Sequence, residues 1–365
     1  MSLPSRASLA AAAVVLASAL AASSGDAALP TAAVAAAPTQ ARSALAAEPA
    51  RPLLAPAGMV YTGVSAGSPG RFATQAGKHP AVFGQFVTWG QSIHWAFNEA
   101  ADAHARLMLH ISTSQGYGAP QKITPAGIAR GDGDAYLITL GKLIATYHHP
   151  VYVRLLPEMD QANNAYCAFN LDGSSRGPNY STTEFLAAWR RSVIVLRGGP
   201  VAGIDAQLAA LGLPLLHGLP ASASMPTPAV SFVWTPQVAG APDTPANSPA
   251  AYYPGDRYVD WVGTDFYSRS PNFAGLQTFY GEHPHKPFAF GEWAIWGADD
   301  PAFVSEFFKW INAHHRVSMV LYNQGYDATG PLDLGESPAS AAAVRSELAA
   351  SRFLAFTPDW GAPGA

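Results

Sequence analysis

The chain of 365 residues has one cysteine, Cys167, so no intrachain disulfide can form and no multi-cysteine zinc site can be built. Charged residues are scarce at 13%, against 49% hydrophobic, a balance that supports a sizeable core and excludes a disordered polyelectrolyte. A formal net charge of −4 and a pI near 6.2 give no electrostatic reason to expect nucleic acid or an anionic membrane as partner. Beyond the N-terminal region no uncharged apolar run is long enough for a membrane span. No GxGxxG follows the first strand, and the Walker pattern is missing. Dinucleotide and P-loop chemistries therefore have no motif behind them. The pairs His148–His149 and His314–His315 are adjacent rather than spaced i,i+4, so no metal site and no cofactor is expected.

The N-terminus reads as an export signal over residues 1–28. Arg6 supplies the positive start, Leu9 to Leu20 the apolar stretch, and Ala/Ser-rich sequence follows. No cysteine follows that stretch, so lipid anchoring there is excluded; a retained N-terminal anchor is the alternative. Residues 29–57 are Ala/Pro-rich and read as a linker, 58–355 as one domain, and 356–365 as a C-terminal tail. The expectation is a secreted bacterial protein, monomeric, without stable membrane association.

From Gly58 onward eight runs rich in β-branched and aromatic residues predict strands: 59–64, 82–90, 106–113, 151–158, 231–236, 261–267, 287–292 and 318–324. Helical patterns lie between most of them, among them 93–104, 134–148, 183–196 and 301–314, with a terminal one over 338–353. Alternating strands and helices favour a parallel sheet, and eight strands favour closure into a (β/α)8 TIM barrel, an α/β fold. Residues 198–229 form a long Gly/Ala/Pro-rich insertion between the fourth and fifth strands.

Two carboxylates, Glu158 and Glu292, each end a strand run, VYVRLLPE and PFAFGE. In such a barrel the C-terminal strand ends carry the catalytic groups, so residues far apart in sequence meet across the mouth. A retaining glycosidase needs one carboxylate as nucleophile and a second group as acid and then base. Strand alternation places Arg154 on the side of Leu156 and Glu158, and Asp265 with Tyr267 opposite Phe266. Trp89, Trp234, Trp293 and Trp296 fall at or just past strand ends, where rings can floor sugar subsites or pack into the core. Asp160 follows Glu158 and is a candidate for sugar hydroxyls, unless it shapes a turn with Asn163 and Asn164. His110, near the end of the third strand, is a candidate pocket residue or a satisfied core histidine.

RLLPEM (154–159), AWRRSVIVLR (188–197), FVWTP (232–236), YYPGDRYVDWVGTDFY (252–267) and the GEW at 291–293 together resemble glycoside hydrolase family 26. The resemblance spans roughly residues 80–325. It implies a retaining (β/α)8 enzyme acting on a β-linked polysaccharide, most of all mannan, with glucan or xylan as alternatives. It also implies the roles: Glu158 as acid/base at the end of strand four, Glu292 as nucleophile at the end of strand seven, and Tyr267 as hydrogen-bond donor to that nucleophile. Two positions depart from the family pattern. Pro157 stands where a His usually precedes the acid/base, and MDQANNAYCAF (159–169) replaces the usual Met-Asn-Gly and Trp. These departures leave open a barrel that binds carbohydrate without cleaving it.

Overall fold

The computed structural model describes residues 53–116 and 118–361; the export signal and most of the linker read from the sequence lie outside them. Eight strands form a closed parallel barrel, with the two-residue strand Phe353–Leu354 added beside the first: β1 (Val60–Ser65), β2 (Val82–Thr88), β3 (Arg106–Ser112), β4 (Val151–Leu155), β5 (Val230–Trp234), β6 (Trp261–Tyr267), β7 (Phe288–Ala294) and β8 (Val317–Asn323). Each pairs with the next, and β1 pairs with β8 from Tyr61↔Met319 to Ser65↔Asn323, closing the barrel. Around it run α1 (Pro69–Ala76), α2 (His94–Asp102), α3 (Pro125–Arg130), α4 (Asp134–Tyr147), α5 (Thr182–Arg197), α6 (Val201–Ala209), α7 (Phe273–Glu282), α8 (Pro301–Ala313) and α9 (Pro338–Leu348). The insertion over 198–229 holds α6 and a two-residue ladder, Gly199–Pro200 against Ser224–Met225. Between β5 and β6 there are only short 3-10 turns, at Pro245–Asn247, Pro249–Tyr252 and Asp256–Tyr258.

Period-two alternation sorts the strand side chains into two layers. Outward residues such as Leu107, Val153, Phe232, Val262 and Phe290 pack under the helices. Inward, Tyr61, Met108, Tyr152, Val233, Trp261, Met319 and Leu321 fill the lower barrel. Above them the interior turns polar, with Ser65, His110, Arg154, Thr235, Asp265 and Glu292 all buried. This polar layer is the floor of the site.

Two local features set that layer. The registers of β7 against β6 (Thr264↔Phe290, then Asp265↔Glu292) and against β8 (Val320↔Phe290, then Tyr322↔Trp293) both skip Gly291. Gly291 is thus the extra residue of a bulge, which turns Glu292 inward and Trp293 outward, opposite to simple alternation from Phe290. Its missing side chain is needed as well, because a Cβ there would stand 2.7 Å from Arg154 Nε. On β2, a Cβ at Gly84 would meet His110 Nε2 at 2.5 Å.

Strand β4 ends at Leu155, three residues short of the predicted run. Leu156 and Glu158 both take left-handed backbone angles (φ 45° and 51°), which cost non-glycine residues energy and occur where surrounding structure enforces them. Leu156 therefore joins the outer core rather than the side of Arg154, correcting the alternation expected there. Backbone bonds fix the turn, Leu156 N to Ile111 O and Glu158 N to Thr235 O, both 2.8 Å.

The last described residues pack on the barrel's lower face rather than trailing away. Arg106, the first residue of β3, pairs with Asp359 and also donates to the Leu53 carbonyl at 3.1 Å. Trp360 stacks on His149 with ring centroids 3.9 Å apart.

Candidate active site

At the C-terminal rim of the strands opens a cleft of about 710 Å³ whose lining includes both Glu158 and Glu292. They enter from β4 and β7 on different sides of the barrel.

Glu292 is gripped by three donors. Arg154 Nη1 donates to Oε1; Tyr267 OH donates to Oε2 at 2.5 Å, and Asn323 Nδ2 donates to the same oxygen at 2.7 Å. Asn323 also donates to the Tyr267 hydroxyl at 3.0 Å. Burial first, and then the negative charge of Glu292, hold the Tyr267 phenol well above its ordinary range, so it stays a donor. Its neighbour on the strand, Phe266, faces the helices among Phe273, Phe303 and Phe307.

Arg154 is the hub of the floor. Nη2 pairs with Asp265, Nε donates to Thr235 Oγ1 at 2.6 Å, and Nη1 also reaches His110 Nδ1 at 2.8 Å. Burial alone would lower the guanidinium's pKa; the carboxylates of Asp265, Glu292 and Glu158 more than offset it, and the group stays charged. Burial and the facing guanidinium both push His110 well below the usual imidazole range. A neutral ring accepting at Nδ1 must carry its proton on Nε2, which donates to Ser65 Oγ at 3.2 Å. His110 is thus both buried and part of the cleft lining.

Glu158 is half-buried and close enough to Arg154, Asp265 and Tyr267 to enter the electrostatics of all three. Gln237, from the loop after β5, donates through Nε2 to its Oε1 at 2.6 Å. The Gln237 backbone N–H is in turn held by Asp160 Oδ1 at 3.1 Å. Neither Gln237 nor Asn323 stood out in the sequence. Asn323 continues the inward row Met319–Leu321, so alternation along β8 was its available signal; Gln237 lies in a loop, where periodicity says nothing.

The four tryptophans separate. Trp296, 38% exposed, lines the cleft with Tyr326, 66% exposed. Arg269 lies over the Trp296 ring at 5.3 Å. Trp234 is fully buried, its Nε1 bonded to the Tyr252 carbonyl and its ring packed on Tyr253 and Phe279. Trp293, 1% exposed, lies against Phe307, Phe308 and Tyr322. Both have outward parity on their strands, which corrects the expectation that they face sugar. Trp89 borders a neighbouring depression and shows only 5% of its surface. Asp160 is likewise no cleft residue. It is fully buried and joins the β4 loop to the β5–β6 loop, its carbonyl accepting from Asn247 Nδ2 at 2.7 Å.

No sequence-family profile and no curated protein matches the chain. Solved structures do. A Cellulomonas fimi endo-β-1,4-mannanase double mutant is similar at 17% identity and TM-score 0.56, over 83% of this chain and 73% of that one. GH26A from a Muricauda species is similar at 16% identity and TM-score 0.53, over 85% and 95%. A modular Cellulomonas fimi mannanase of glycoside hydrolase family 26 is similar at 17% identity and TM-score 0.53, over 84% and 77%. The chain therefore shares the closed eight-stranded barrel of family 26 structures, the fold that its sequence resemblance implied.

Proposed function

We propose that this protein is a divergent member of glycoside hydrolase family 26, a secreted retaining enzyme that cleaves a β-linked polysaccharide of mannan type. The observation that carries the reading is the shared cleft of Glu158 and Glu292, the latter held by three donors and the former by the Gln237 amide. Glu292 attacks the anomeric carbon while Glu158 protonates the departing glycosidic oxygen. Glu158, now deprotonated, takes a proton from water, and that water displaces Glu292 with net retention. Arg154, Tyr267 and Asn323 aim the nucleophile. Gln237 orients the acid, the task that His takes at the position of Pro157 in the family pattern. Trp296 and Tyr326 offer rings for stacking on sugar faces. The reaction uses no cofactor. Export rests on the sequence of residues 1–28.

The test is release of reducing ends from mannan, glucan and xylan panels, with Glu292→Ala as control and the anomeric configuration of the first product followed by NMR. Cleavage of mannan with retention, lost in the variant, supports the reading. Cleavage confined to glucan or xylan moves the substrate but keeps the mechanism; inversion overturns the roles given to the two carboxylates. The Pro157 departure favours a second reading, a barrel that binds oligosaccharide without cleaving it. Binding by wild type with no hydrolysis across the panel would establish that one.

A further inference from the structure

The turn that presents Glu158 sits in unfavourable backbone. Leu156 and Glu158 are both left-handed, φ 45° and 51°, and the residue between them is Pro157. A proline fixes its own φ and drives the residue before it towards extended angles, so Leu156 is held against two preferences at once. Backbone of this kind persists only where its surroundings over-determine it. On the barrel side the carbonyls of Ile111 and Thr235 hold the Leu156 and Glu158 N–H groups. On the other side the donors come from the loop that follows. Tyr166 OH donates to the Pro157 carbonyl at 2.6 Å, and Asn164 Nδ2 donates to the Glu158 carbonyl at 2.9 Å. That loop is itself tied down. Arg176 Nη1 donates to the Asn164 carbonyl at 2.5 Å, and the Ala168 N–H donates to Tyr252 OH at 3.1 Å. Asn164 and Tyr166 both belong to the 159–169 stretch that departs from the family 26 pattern, and the carbonyl that Tyr166 holds belongs to Pro157, the other departure. The two departures meet in one set of bonds.

We propose that Tyr166 and Asn164 are positioning residues for the acid/base. They lock the Leu156–Pro157–Glu158 turn, so that the Glu158 side chain leaves the rim in one direction, towards Gln237 and the cleft. The inference rests on the function proposed above and deepens it: the departing residues form a replacement mount for the acid. Rigidity matters here because a general acid must lie within hydrogen-bond reach of the departing oxygen, and a misplacement of about 1 Å can cost about 10²-fold in rate.

Tyr166→Phe removes one oxygen and keeps the buried ring. On oligosaccharides that wild type cleaves, whose sugar leaving group is poor, its kcat/KM should fall about tenfold, and on activated aryl glycosides much less. A merely structural role would lower both alike. Asn164→Ala, at a half-buried position, is the second probe and should show the same split. Pro157→Ala should do so too, and combined with Tyr166→Phe it should add little, because the two act through one turn. Equal losses on both substrate types, no loss, or additive losses overturn the mount. Should wild type cleave nothing, the proposed function fails, and the mount is read from crystal structures of wild type and Tyr166→Phe. A Gln237–Glu158 hydrogen bond present in wild type and lost in the variant supports it; a bond kept in the variant, or absent from both, overturns it.

Discussion

Arg154 and Glu292, 138 residues apart in sequence, meet as a buried ion pair at the cleft floor, and the same guanidinium holds Asp265 with its other terminal nitrogen. One cation thus serves two carboxylates at the buried floor of an open cleft. Removing one partner of a buried pair leaves uncompensated charge, which costs about 3–5 kcal/mol. Arg154→Met is expected to lower stability by that order, read as a shifted urea midpoint with unchanged slope. Arg154→Lys should be nearly as damaging, since an ammonium cannot span Asp265, Glu292 and Thr235 together.

Glu158→Ala should separate the two halves of the reaction. An activated aryl glycoside needs little help from an acid, so its glycosyl–enzyme should form and accumulate. Azide should then restore turnover and yield a glycosyl azide of retained configuration, detected by mass spectrometry and NMR. Failure of any small anion to rescue would remove Glu158 from the acid/base role.

Gln237→Ala withdraws only the amide that orients Glu158. We expect kcat/KM to fall about tenfold on substrates with poor leaving groups and much less on activated aryl glycosides, because general-acid assistance as a whole is worth about 10²–10⁴-fold. Gln237→Asn should not rescue, its amide being one methylene short. Equal losses on both substrate types would indicate a structural role instead.

The tryptophans give a paired test. Trp296→Ala should leave the melting temperature nearly unchanged and weaken oligosaccharide binding by up to about tenfold. Trp234→Ala should cost about 3–5 kcal/mol through the cavity it leaves, with little effect on KM in the fraction that folds.

Asp160 supplies a pH signature. Burial pushes its carboxyl up to about 8, so the folded protein keeps a proton that the unfolded chain releases near pH 4. The folded state binds more protons across that window, and stability from this group is fully present below about pH 4 and lost as pH rises towards 8. Wild type should therefore lose stability relative to Asp160→Asn between pH 5 and 8, measured as the difference in melting temperature. A gap that moves the other way would mean that Asp160 is ionised when buried.

Much of this was legible from residue order, for reasons that stop at identifiable places. That Glu158, Glu292 and Tyr267 lie near the C-terminal rim follows from apolar runs that a barrel must bury on both faces, although β4 stops at Leu155 and β7 runs on to Ala294. The inward turn of Glu292 does not, because a bulge at Gly291 inverts the parity that counting would give. The same limit hid Trp293, which counting from Phe290 would have placed inside. Near Glu158 the chain leaves the strand through two left-handed residues, a local choice set by contacts with Ile111 and Thr235, far away in sequence. The depression beside Trp89 is assembled from loops and the start of a helix, none of which carries a periodic signal.

Arg106 binds the Leu53 carbonyl with one guanidinium nitrogen and Asp359 with the other, on the barrel face away from the cleft. The first and last described segments of the domain thus share one buckle. A linker joining them could be short, so a circular permutant opened in a rim loop should keep the barrel closed. Replacing that single arginine would loosen both straps at once.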